Sequence, residues 1–188
     1  FYSFKELFDA KEEKIAASDI VGCFRYCQIG DVDKGGTPHP VTLDFDIRDL
    51  TDEDYYKKIE KGDAMRVKEN DILMSFLLPQ DVSILGKFTR IGPEESDILF
   101  STAFLRLVAH KYPEVLYYCL QSVFYEDLVS TARIRKGYTG YATLSKDDLL
   151  DLKFPRKTID AIAANYGTLK RKISDIENQI ANKQKAIN

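Results

Sequence analysis

Arg133, Arg135 and Lys136 place three cations within four residues. They sit inside Thr131-Ala132-Arg133-Ile134-Arg135-Lys136-Gly137-Tyr138-Thr139-Gly140-Tyr141. Gly137 and Gly140 let the backbone bend or come close to a surface. Tyr138 and Tyr141 interleave aromatics, and Thr131 and Thr139 add hydroxyls. Phosphate is met by Lys, Arg and small hydroxyls, and base edges by Arg, Asn, Gln or Thr. The chemistry of this segment is therefore contact with a polyanion, and Lys87 and Arg90 on a neighbouring strand could extend the same patch. A solvated turn with tyrosines packed beneath it would use the same residues.

Other chemistries find less support. There is no G-x-G-x-x-G, no G-x-x-x-x-G-K-[ST] and no H-E-x-x-H, so nucleotide-binding glycine loops and zincin sites are absent as motifs. Cys23-x-x-x-Cys27 with His39 supplies only part of a zinc site, because structural zinc takes four ligands. The plainer reading makes Cys23 and Cys27 core thiols on one face of a strand. Glu94, Asp97 and Lys87 hold the residue types of a metal-assisted nuclease, but no spacing compels that arrangement. No metal and no cofactor is expected.

The whole chain must position that segment. Its 188 residues, with 44% hydrophobic and 12% aromatic content, suit one domain with an appendage. Three cysteines give no disulfide framework, which points to a reducing, cytoplasmic location. No apolar run reaches membrane-spanning length. The start, Phe1-Tyr2-Ser3-Phe4, carries neither Met nor the regions of a signal peptide and reads as a processed or excised piece. The formal net charge of −3 is unevenly spread. From Arg156 onward seven Lys and Arg face three acids, while Val41 to Asp71 holds ten acids against six bases.

Phe1, Phe4, Leu7 and Phe8 have helical spacing, so Phe1 to Glu13 reads as a short amphipathic start. Val21 to Ile29 reads as a strand closed by Gly30-Asp31, and residues 34–38 as a loop. Asp44 to Lys61 reads as irregular, with a short helix from Asp52 to Lys61. Ile72 to Leu78 is predicted as one buried strand, Lys87 to Ile91 as a second and Ile98 to Val108 as a third. Pro113 suits a first helical turn, and Val115, Leu116, Cys119, Leu120, Val123 and Phe124 predict one helix over Pro113 to Val129. Ser145 with Asp148 matches a capping box that starts a short helix over Lys146 to Leu150. Leu152 to Phe154 reads as a strand stopped by Pro155.

The last element is the most regular. Ile159, Ile162, Tyr166, Leu169, Ile173, Ile176, Ile180 and Ile187 step by three and four as the a and d positions of a heptad, and only Lys183 interrupts the series. As one helix, Ile159 to Ile187 spans roughly 42 Å. So narrow an apolar stripe requires a partner helix. Gly167 inside it costs roughly 1 kcal/mol relative to Ala. The fold class expected is α/β (α+β), a mixed-sheet domain followed by a long C-terminal coiled-coil helix.

Taken in order, Ile72-Leu73-Met74-Ser75, Gly86-Lys87-Phe88, Ser101-Thr102-Ala103-Phe104-Leu105-Arg106-Leu107, Leu116-Tyr117-Tyr118-Cys119-Leu120, Gly137 through Leu149, Leu152-Lys153-Phe154-Pro155 and the heptad helix form a series. Together with Arg25-Tyr26-Cys27-Gln28-Ile29-Gly30-Asp31-Val32, that series resembles the target-recognition domain and adjoining conserved helix of the specificity (S) subunit of type I restriction–modification enzymes. No single motif carries the resemblance, which spans most of the chain. It implies a recognition domain at 1–155 and a coiled-coil spacer or dimerisation helix at 156–188. It implies double-stranded DNA as ligand, methyltransferase (M) and restriction (R) subunits as partners, and no catalytic residue in the chain itself. S-adenosylmethionine and ATP would belong to those partners. Two departures stand out. One domain and one helix are half of the usual S arrangement, which implies a fragment or a half-subunit that self-associates through the helix. The helix also opens as Arg156-Lys157-Thr158-Ile159-Asp160, without the Gln-containing segment common in the family. Two other readings fit the same residues: a coiled-coil scaffold module without DNA contact, and the recognition domain of a fused adenine methyltransferase.

Overall fold

The apolar run at Ile72 becomes the centre of the molecule. In the computed structural model, which describes residues 1–75, 77–79, 87–133, 141–143 and 146–187, β5 (Ile72–Ser75) is buried at every position. It lies inside a four-stranded antiparallel sheet. The order is β2 (Phe8–Ala10), β9 (Phe104–Ala109), β5 and β7 (Phe88–Arg90). Side chains alternate across a strand, and here each face of the sheet has its own core. Ile72 and Met74 pack with Phe88, Leu107 and the helices α3 (Pro113–Gln121) and α4 (Tyr125–Arg133). Leu73 faces the other way, toward Cys27, Val32, Met65, Ile91 and Phe100.

That second core is closed by a three-stranded sheet, in which β3 (Cys23–Cys27) pairs antiparallel with β4 (Val41–Asp44) and parallel with β8 (Leu99–Phe100). Beyond it a third cluster packs Tyr26 and Leu43 against Tyr56 and Ile59 of α2 (Glu53–Glu60). The layers thus run helices, four-stranded sheet, three-stranded sheet, helix. The first turns of the chain close the helical side. Here α1 (Phe4–Leu7) buries Phe4 and Leu7, and β1 (Tyr2–Ser3) pairs with β11 (Lys153–Phe154), which follows α5 (Lys146–Leu150). A separate ribbon joins β6 (Leu77–Pro79) to β10 (Tyr141–Thr143). The chain ends in α6 (Arg156–Ile187), 32 residues long. No helix among the described residues is long and apolar enough to cross a membrane.

The α/β class, the short helices at 53–60 and 146–150 and the long C-terminal helix match expectation. Several boundaries do not. The amphipathic start is one helical turn followed by a strand, because Phe8 to Ala10 pair with Leu107 to Ala109 at the sheet edge. The run after Ile72 supplies two strands, β5 and β6, in different sheets. Ile98 to Val108 also splits in two, because Ser101 and Thr102 turn aside to bind a carboxylate. Asp63 Oδ1 accepts from the Ser101 hydroxyl (2.8 Å), the Thr102 amide (2.7 Å) and the Thr102 hydroxyl (2.9 Å). The helix expected over 113–129 breaks at Ser122, whose hydroxyl donates to the Tyr118 carbonyl at 2.7 Å and competes with the regular ladder. The Phe124 amide then reaches back to the Cys119 carbonyl. The break turns Val123 out to solvent while Phe124, Tyr125, Leu128 and Val129 stay in the core.

Nor do the two strand cysteines share one environment. Cys27 is buried and Cys23 lies exposed at the start of β3. Burial pushes the Cys27 thiol up to about 12 and raises Cys119 as well. Cys23 is raised chiefly because its S–H donates to Asp44 Oδ2 at 3.3 Å. Since the thiolate is the nucleophile, iodoacetamide at neutral pH is expected to alkylate Cys23 alone, more slowly than a free thiol. Asp44→Asn should accelerate that reaction, as read by intact mass against time.

Candidate nucleic-acid interface and the head–rod joint

The basic segment is anchored at both ends. Arg133 is the last residue of α4, and Tyr141 opens β10. Residues 134–140, which include Arg135, Lys136, Tyr138 and Thr139, lie outside the described residues. Their frame is nonetheless defined by backbone pairing: Tyr141 stands opposite Pro79 and Thr143 opposite Leu77. Pro79, where the described part of β6 ends, therefore lies opposite Tyr141, where β10 begins, and both strands lie against α4.

The other two candidate cations are not brought together. Lys87 and Arg90 are three residues apart on an extended segment, so they point to opposite faces of the sheet. The Lys87 ammonium donates to the carbonyls of Ile29 (2.8 Å) and Gly30 (3.4 Å). It helps seat the 29–38 loop, in which Gly36 takes φ +85° against the Phe88 carbonyl and the Tyr117 hydroxyl. A Cβ there would collide with both oxygens, so only glycine fits. Arg90 turns to the helical side, donates to Asn70 Oδ1 at 3.0 Å and lies 3.4 Å from Glu114. Of the nuclease-like set, the Asp97 carboxylate is paired with another cation, Arg25, which also donates to the Glu94 backbone carbonyl. Among the described residues no three His, Cys, Asp or Glu side chains cluster to hold a metal ion.

The rod meets the head over its first turns. Ile159 is fully buried in the helical-side core, where Ile162, Ala163 and Tyr166 pack at its margin. Leu169, Ile173 and Ile176, the next stripe positions, are about half exposed. Ile180 and Ile187 continue the stripe within α6, but their side chains lie outside the described set. Polar contacts flank the buried part. The Tyr2 hydroxyl donates to Asp160 (2.8 Å), Arg156 meets Glu6 (3.2 Å), and Lys170 meets Glu114 (3.1 Å). Burial pushes the Glu114 carboxyl up, but hydrogen bonds from Lys170 and Tyr166, with the charge of Arg90, outweigh it and hold Glu114 below its ordinary value. A depressed value means that this contact is at full strength above the ordinary glutamate range and weakens as pH falls through the lowered one.

The head–rod contacts at Glu6, Glu114 and Asp160 escaped sequence reading. Each joins residues more than fifty positions apart, and nothing in the local pattern marks them. Arg106 did carry a signal: a lone cation within the apolar run Phe104 to Val108 must be paired if that run is a buried strand.

Two solved structures share this architecture. One is the HsdS subunit from Thermoanaerobacter tengcongensis, with TM-score 0.61 and 17% identity over 98% of this chain and 45% of that one. The other comes from work on complex assembly and conformational transition of the type I R-M system, with TM-score 0.60, 17% identity and the same coverage. No protein-family model and no curated protein matches the chain. The chain spans about half the length of the structures it matches. Head and rod together, it has the fold of one half of an HsdS specificity subunit of a type I restriction–modification system.

Proposed function

We propose that this chain reads double-stranded DNA as one recognition half of a type I specificity subunit. The observation that carries the reading is the likeness of fold over 98% of the chain, with the long helix included. Residues 1–155 form the DNA-reading head and 156–188 the coiled-coil rod. Arg133, Arg135, Lys136, Tyr138 and Thr139 contact DNA from the end of α4, while Lys87 and Arg90 support the body from which that segment emerges. The protein directs rather than catalyses. Methyl transfer and cleavage fall to the M and R subunits that assemble on it in the cytoplasm, and the exposed part of the stripe pairs with a second helix of the same kind.

The acidic bulk of the head fits this function, because it limits non-specific attraction to the backbone while a local basic patch touches phosphate. With a pool of duplex DNA at low salt, Arg133→Ala and Lys136→Ala are expected to weaken binding. The loss should be roughly tenfold to a hundredfold where the cation reads a base, or about one unit of salt slope where it meets phosphate. A mobility shift with the fold checked by circular dichroism measures this. Unchanged affinity in both variants would remove the segment from the interface.

A further inference from the structure

Cations from two other elements converge on Glu114 in the first turn of α3. Lys170 of α6 reaches its two oxygens at 3.1 and 3.3 Å, and Arg90 of β7 lies at 3.4 Å. Tyr166, one turn back along α6, lines the same hollow as Glu114. The opposite end of the joint is held by Tyr2 on Asp160 and by the burial of Ile159. From Asp160 to Lys170 is roughly 15 Å along a helix. Between these attachments Ile162, Ala163 and Tyr166 pack only at the margin of the helical-side core. Beside the Glu114 contact lies an open hollow of about 640 Å³ lined in part by Asn70, Tyr112, Ala163 and Gly167, and a Cβ added at Gly167 would meet nothing within 4 Å.

A helix attached at one end can swivel, whereas two attachments fix its direction. The apolar packing of the rod ends at Tyr166, so the attachment one turn further out, at Lys170, depends on Glu114. We propose that Glu114 is the positioning residue that fixes the direction in which the rod leaves the head. This use of the joint rests on the DNA-reading function proposed above, although the joint itself does not. Lys170 to Ile187 extends about 26 Å, so a swing of about 10° moves the tip roughly 4–5 Å, more than one base-pair step. A second head mounted through the rod would lose its register on a split target by a displacement of that size.

The test needs no DNA. A spin label on the exposed Cys23 and another on Ser174→Cys, placed on an exposed turn of α6, report the head–rod distance by pulsed dipolar spectroscopy. Labelled chain is diluted into excess unlabelled chain, so that distances between copies do not contribute. The wild type is expected to give one narrow distribution. Glu114→Ala and Lys170→Glu should each widen it about twofold, as for a helix released to hinge at one end. Lys170→Arg, which keeps the charge, should restore the narrow peak. The Lys170 side chain is 65% exposed, so its variants leave the head's core untouched, and the thermal midpoint of Lys170→Glu should match wild type. Distributions as narrow in Lys170→Glu and Glu114→Ala as in wild type would overturn the assignment. So would a wild-type distribution already as broad as the variants. Either result is independent of whether the head binds DNA.

Discussion

Asp71→Ala is expected to lower the stability of the head by roughly 3–5 kcal/mol. Arg106 is buried in β9 beside Leu73 of β5, and its Nε donates to Asp71 Oδ2 at 2.5 Å. The only other carboxylate it meets among the described residues is Glu13, at 3.3 Å and half exposed. Asp71 Oδ2 also accepts from the Lys68 amide at 2.7 Å, closing the turn in which Asn70 takes φ 71°. Removing the carboxylate leaves a guanidinium without its main partner in the central sheet, and the penalty is that of an uncompensated buried charge. Native domains are stable by only about 5–15 kcal/mol, so the variant sits near its unfolding threshold at room temperature. Urea titration measures the loss as a lower midpoint with an unchanged slope. The paired replacement Asp71→Leu with Arg106→Met removes both charges and should recover most of the stability. A single variant as stable as wild type would show that the ion pair contributes nothing net.

Ile173→Glu with Ile176→Glu is expected to abolish association through the rod while leaving the head folded. Both residues are about half exposed on the isolated chain and belong to no core cluster of the head. In a pair of such rods the double substitution removes four isoleucines from the stripe, two from each copy. About half of each side chain is left to bury on pairing, worth about 0.75–1.5 kcal/mol each, so the loss is at least roughly 3 kcal/mol, more than about a hundredfold in Kd. Sedimentation velocity over a range of concentrations reads this directly. Wild-type chain should shift toward a dimer as concentration rises, and the variant should remain a monomer. A wild type that stays monomeric at every concentration would show that the stripe waits for a different helix.

What could be read from the sequence follows from how local each signal is. The heptad of α6 needs only its own spacing, and the helix runs unbroken from Arg156 to Ile187. The buried strand at Ile72 was legible because a short apolar run between turn signals has few other solutions. The breaks at Ser101-Thr102 and Ser122 were not, because each depends on a side-chain hydrogen bond that propensity does not encode. Asp63, which splits β8 from β9, lies 38 residues from Ser101. The basic segment stands out by composition, and the frame that holds it, β6 paired with β10, came only from the structure. Lys87 and Arg90 looked like one patch by sequence. A strand places them on opposite faces, where one seats a loop and the other joins the contacts at Glu114.

DNA reading is tested most directly by binding-site selection: the full chain is mixed at low salt with a pool of duplexes carrying a randomised segment, and bound duplexes are recovered and sequenced over successive rounds. The expected result is enrichment of one short sequence, the half-target of a single head, with enrichment lost in Arg133→Ala. Recovery no greater than from beads without protein, with the head shown to be folded, would contradict it.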